Sequence, residues 1–172
     1  MRYLAGRQLI IVELMKKTLA IEYEEYASKG ELPIADQELI EAAQRATEGS
    51  YSPYSHFRVG AAVRMKDGTI EIGSNQENLA YPSGLCAERV ALFGASARHG
   101  KDCIIKALAI AAVDGEGKAA EASPCGACRQ VMIEQEQRQG CNMKILLPLN
   151  DGRVREYNSA SDLLPFVFAA EL

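Results

Sequence analysis

Histidine is scarce in this chain. Its 172 residues include two, His56 and His99, so a metal site here must lean on sulfur. Basic runs of the kind that track a phosphate backbone are absent, and 19 Lys and Arg against 23 Asp and Glu leave a net charge of −4, which argues against a nucleic-acid partner. Long apolar runs are missing too. Ala107 to Val113 falls far short of a bilayer span, so no membrane partner is expected. Near the N-terminus, Leu9 to Val12 is interrupted by Glu13 and is followed by no small-residue cleavage site, unlike a secretory signal. These absences together predict a cytoplasmic protein. There is also no internal repeat, low-complexity tract or Pro/Ser-rich linker, and a chain of this length can bury roughly 70% of its unfolded surface in one core. The expected organisation is an N-terminal arm, residues 1–33, followed by one domain over residues 34–172.

Five cysteines are present. An odd number cannot all close into disulfides, and a reducing compartment leaves thiolates for metal binding or catalysis. Cys103 and Cys141 open predicted strands and read as small buried hydrophobes. His56 falls in a loop, where an exposed or hydrogen-bonded role is expected, and His99 lies near a helix end, where its charge complements the dipole.

The arm holds two weak strand or helix signals, Leu9 to Leu14 and the alternation around Ile21, Tyr23 and Tyr26. Asp36 can cap a helix that runs to about Glu48, with Leu39, Ala43 and Ala46 on one face and Gly49 at its end. Val59 to Met65 and Thr69 to Gly73 read as an antiparallel pair turned at Asp67-Gly68. A second helix spans about Cys86 to Arg98, with Val90, Phe93, Gly94 and Ala97 at helical spacing and the glycine allowing close packing on a sheet. Ile104 to Val113 is apolar throughout, as a central strand covered on both faces would be. Ser123-Pro124 marks a third helix start, and that helix stops at Gly140. Met143 to Leu149 is a further buried strand, Arg153 to Tyr157 a charged edge strand, and Ser161 to Phe166 a short closing helix.

Strands alternating with helices predict an α/β fold, a three-layer α/β/α sandwich around a mixed five-stranded sheet. Helices entered from parallel strands begin at the carboxyl edge of the sheet, where open α/β sheets place their ligands. The second and third helix starts should therefore be neighbours, and both carry cysteine. Cys125 and Cys128 form an i,i+3 pair on one first turn, and Cys86 lies on the other. Three converging thiolates suit tetrahedral zinc with one position left for water, the catalytic arrangement. Two helix N-termini and Arg89 would offset the thiolate charge. A C-x-E spacing, Cys86 to Glu88, brings both side chains to one pocket only at a helix start, and a carboxylate beside the metal but outside its ligand set can move protons. A thioredoxin-like redox pair at Cys125 and Cys128 and a structural zinc module are the competing readings.

C-A-E at 86–88 followed by P-C-G-A-C-R-Q at 124–130 resembles the zinc nucleoside deaminases, whose related signature is H-x-E…P-C-x-x-C. The likeness extends through S-P-Y-S-H-F-R-V-G-A-A at 52–62, N-Q-E-N at 75–78, Y-P-S-G-L-C-A-E-R at 81–89 and L-L-P-F-V-F at 163–168. It covers about residues 35 to 168 and is similar to the homotetrameric, three-cysteine cytidine deaminases. The resemblance implies one zinc per subunit on Cys86, Cys125 and Cys128, proton transfer by Glu88 and charge tuning by Arg89. It further implies ribose contacts from Asn75 and Glu77, packing of Phe57 on the pyrimidine and backbone contact to the base from Ala87. Tyr81 and Phe168 match positions that approach a neighbouring subunit's pocket. The implied reaction is hydrolysis of cytidine or 2′-deoxycytidine to the uracil nucleoside and ammonia. A deaminase for another aminopyrimidine, such as blasticidin S, is the nearest alternative, and the N-x-E pair argues for a ribose. The first 33 residues extend beyond the usual family start.

Overall fold

The structure, a computed structural model, describes residues 15–168. The expected strand or helix at Leu9 to Leu14 lies outside them. The elements in order are β1 (Glu24–Tyr26), α1 (Ile34–Ala46), β2 (Arg58–Met65), β3 (Ile70–Ser74), α2 (Ala87–His99), β4 (Ile105–Val113), β5 (Ala119–Ala120), α3 (Gly126–Gln139), β6 (Lys144–Pro148) and β7 (Val154–Tyr157). One mixed sheet runs β1-β7-β6-β4-β2-β3, with β5 paired to β4. It has seven strands where five were expected, because β5 is a two-residue ribbon and β1 comes from the arm. β4 and β6 are parallel, and every other pairing is antiparallel.

Three layers result because side chains alternate across the sheet. Leu108, Ile110, Ile145 and Leu147 face α2 and α3, while Ala107, Ala109, Ala111 and Leu146 face α1. The alanine-lined face lets α1 come close. A Cβ on Gly60 would lie 2.1 Å from the Ala43 carbonyl oxygen, so that strand position needs glycine. On the other face Gly73 does the same for α2, its added Cβ falling 2.4 Å from the Ala91 amide nitrogen.

Several sequence expectations are corrected. α1 begins two residues before Asp36, and the Pro33 carbonyl accepts from the Asp36 and Gln37 amides. Asp36 is not a cap. It is buried against Arg64 and Lys144, partners too far away in sequence for local pattern to reveal. The stripe Val90, Phe93, Gly94, Ala97 lies away from the sheet, with Phe93 and Ala97 exposed; Ala87, Ala91, Leu92 and Ala95 are the packed face. The close approach comes from Gly73 on the strand, not from Gly94. β7 is not an edge, since β1 pairs with it in the register Glu25 opposite Arg155. The closing helix is a single tight turn, Ala160–Asp162, capped by Ser159.

Candidate active site

β3 and β4 both run antiparallel to β2, so they point the same way; the chain after β3 leads to α2, and the chain after β4 leads by way of β5 to α3. α2 begins just after Cys86 and α3 just after Cys125. Both cysteines have extended backbone at the cap position and neither side chain caps its helix. Ser123 lies outside α3 and does not cap it either. Freed from capping, the thiols point toward one another across the gap between the helices.

The Cys86 and Cys125 sulfurs are 3.9 Å apart and those of Cys125 and Cys128 3.5 Å. All three lie within 4.8 Å of one another. Thiolates bound tetrahedrally at about 2.3 Å are separated by roughly 3.8 Å, so the sulfurs have the spacing of ligands to one zinc ion. Arg89 directs Nη2 at the Cys86 sulfur from 3.8 Å, and its buried Nε has no partner among the described residues. Hydrogen bonding from Cys128, helped by Arg89 and Cys125, pulls the Cys86 thiol down to about 5 against the effect of burial. Cys128, which donates to Cys86 and is buried, is pushed up. Thiolate is therefore favoured at Cys86 and disfavoured at Cys128, whereas a divalent cation would favour it at all three sulfurs.

Glu88 is in the first turn of α2, 4% exposed. Burial pushes its carboxyl up, and the charge on Cys86 adds to that. The Arg89 charge pulls the other way but forms no ion pair with it among the described residues. A carboxyl held this way keeps its proton to a higher pH than an exposed one.

The cluster opens into a cavity of about 740 Å³ whose wall includes Cys86, Cys125, Glu88, Arg89, Phe57, Asn75, Glu77 and Tyr81. Sequence-selected residues from four separate stretches therefore share one cavity. Three do not join them on its wall. Cys128 is fully buried behind the other two sulfurs. Ala87 is fully buried at the start of α2, and Phe168 is 84% exposed with its carbonyl accepting from Gln130 Nε2 at 2.7 Å. Asn75 and Glu77 have structural work besides. Asn75 Oδ1 accepts from the Val59 amide and the Ser50 hydroxyl, and its Nδ2 donates to the Phe57 carbonyl. Glu77 accepts from the Tyr54 and Ser55 amides and the Ser55 hydroxyl. The Ser55 hydroxyl bond, at 2.5 Å, leads the contacts that hold the Glu77 carboxyl below its ordinary range. These bonds fix the loop that presents Phe57, and His56 turns that loop with a positive φ of 56°, a region costly for a residue with a Cβ. Sequence reasoning missed Ser55 and the apolar wall residues Val59 and Ile110. Ser55 is 22 residues from Glu77, and no spacing rule links them.

A buried carboxyl beside three clustered sulfurs, at the helix starts of an α/β sheet and facing a cavity, defines a zinc hydrolase centre. Residues 33–141 match the family described as the cytidine and deoxycytidylate deaminase zinc-binding region. A cytidine deaminase of Halalkalibacterium halodurans is 44% identical over 135 residues, covering 78% of this chain and 95% of the relative. One from Mycobacterium tuberculosis is 36% identical over 141 residues, covering 81% and 95%. The crystal structure of cytidine deaminase from Burkholderia pseudomallei superposes with TM-score 0.63 at 41% identity, covering 76% of this chain and 97% of the other. The chain belongs to the cytidine deaminase family.

Proposed function

We propose that the protein hydrolyses cytidine and 2′-deoxycytidine to the uracil nucleosides and ammonia, a step of pyrimidine salvage. The carrying observation is the convergence of Cys86, Cys125 and Cys128 within 4.8 Å, with the buried Glu88 lining the same cavity. Those sulfurs would hold one zinc ion per subunit, which supplies a Lewis acid able to bring the pKa of a water toward about 7. Arg89 tunes the charge of the thiolates. Glu88 would accept a proton from the attacking water and deliver it to ring N3 as the C4–O bond forms, then carry the proton of the new C4 hydroxyl to the amino group, so that the C4–N bond breaks and ammonia leaves. Phe57 packs on the base and the Ala87 backbone contacts it. Asn75 and Glu77 hold the sugar through the polar capacity left over from their loop contacts.

The residues from 34 to 172 form the deaminase domain, and the arm before it lends β1 to the sheet. The subunits form a homotetramer with shared active sites, in which Tyr81 and Phe168 approach a neighbour's pocket. In support, Leu79, Tyr81 and Phe168 are 80%, 75% and 84% exposed, more apolar surface than an isolated chain gains from showing. The proposed location is the cytoplasm, and no helix among the described residues is long and apolar enough to cross a membrane. Ammonia release from a panel of aminopyrimidine nucleosides, bases and nucleotides tests the substrate: cytidine and 2′-deoxycytidine should lead, and release from blasticidin S alone would favour the other deaminase reading. Light scattering should give four times the chain mass.

A further inference from the structure

The strand β1 precedes the region that matches the family, yet a chain of side chains joins it to the cavity. Glu25 lies directly opposite Arg155 in the β1–β7 register. Its Oε2 accepts from Arg155 Nε at 2.9 Å, and its other oxygen pairs with Arg153. Tyr23, just before β1, lies under the Arg155 guanidinium, 5.9 Å from it, and packs on Tyr157 at 5.4 Å between ring centroids. Arg155 is thus held from one side by an acid and from another by an aromatic face. Its remaining reach goes to the site. Arg155 Nη1 donates to Glu121 Oε1 at 3.2 Å, and Glu121 lines the cavity together with Ala122, Ser123 and Cys125. This wall is the stretch between β5 and α3, outside any strand or helix, so side-chain contacts weigh heavily in fixing its course.

We propose that β1 acts on the substrate pocket through this relay: Glu25 and Arg155 are positioning residues that fix Glu121 and, with it, the cavity wall leading to Cys125. A planar guanidinium can serve both acids at once because its donors point in fixed, separate directions. With Glu25 gone, Arg155 loses the partner that orients it and Glu121 loses its anchor. The chemistry at Glu88 is untouched, so the effect belongs to binding.

The proposal rests on the nucleoside reading only for its kinetic readout. The test uses the full-length, zinc-loaded protein and the variants Glu25→Ala, Glu121→Ala and the double variant. Partly exposed ion pairs carry modest coupling, so Glu25→Ala should raise KM for cytidine about 2- to 5-fold with little change in kcat. The double variant should be no worse than Glu121→Ala alone. Hydrogen exchange in a peptide spanning residues 119–125 should quicken in Glu25→Ala. Additive KM effects, or an unchanged KM with only a lowered melting temperature, would show β1 to be a stabilising strand and overturn the relay, as would unchanged exchange at 119–125. If the parent protein deaminates no cytidine, the nucleoside reading falls, and the exchange measurement still decides the relay.

Discussion

Two carboxyl groups are almost equally buried on opposite faces of the sheet, Asp36 at 2% and Glu88 at 4% exposure, and their surroundings send them in opposite directions. Asp36 accepts from Arg64 at 2.6 Å and from Lys144 at 2.9 Å, and Lys144 continues to Glu156 at 3.0 Å. Burial pushes the Asp36 carboxyl up, but the two cations outweigh it and hold the group below its ordinary range. Glu88 has sulfur beside it and no paired cation, so burial wins and its carboxyl is raised. The lesson is that burial alone does not set a carboxyl's use. Paired with cations it locks α1 to the sheet, whereas left without them it is poised to exchange protons.

The largest break in that contrast comes from removing the member without a cation. Glu88→Gln keeps the volume but not the titrating group, and kcat for cytidine should fall by about 10²- to 10⁴-fold, the usual worth of general acid–base catalysis. Zinc content by elemental analysis should remain one per chain, because Glu88 is outside the sulfur set. The melting temperature should not drop, since an uncompensated buried carboxyl contributes little to the fold. Turnover at the parent rate would remove Glu88 from the chemistry.

The reverse break is Asp36→Ala. It leaves Arg64 and Lys144 without their shared partner in a partly buried place, and urea unfolding should show a loss of about 2 kcal/mol. The kcat should stay at the parent value, because the cluster is on the face away from the cavity. A drop in kcat as large as that of Glu88→Gln would erase the distinction between the two faces.

This contrast also separates what could be read in the sequence from what could not. The sulfur cluster was legible because helix starts following parallel strands share one sheet edge, which turns two distant cysteine motifs into neighbours. Glu88 was legible from its two-residue spacing to Cys86 at such a start. The buried role of Asp36 was not, since its partners are 28 and 108 residues away and an acid near a helix start looks locally like a cap. The outer face of α2 misled for a related reason: Phe93, Gly94 and Ala97 have helical spacing, but so do the small residues Ala87, Ala91 and Ala95 that pack on the sheet. Apolar pattern gives the period of a helix, and where both sides are apolar it does not say which one is inside. β1 is three residues long and is held by Arg153 and Arg155, so its own sequence carried little of the signal.

The smallest effect sharpens the comparison through pH. A carboxyl whose folded pKa lies below its unfolded value makes the folded state more favourable wherever it is ionised, and the gain disappears as it is protonated. For Asp36 that contribution is complete above the ordinary value of 3.8 and is lost as pH falls through the lower, folded value. Asp36→Asn cannot titrate and keeps one acceptor for Arg64, so near neutrality it should be less stable than the parent by about 1 kcal/mol. Urea unfolding at descending pH should show this gap holding down to about pH 5 and narrowing as pH falls below the ordinary carboxyl range. A gap that stayed constant across that range would mean that shape and hydrogen bonding, not ionisation, make Asp36 the anchor of α1, and the two carboxyls would then differ in packing rather than in charge.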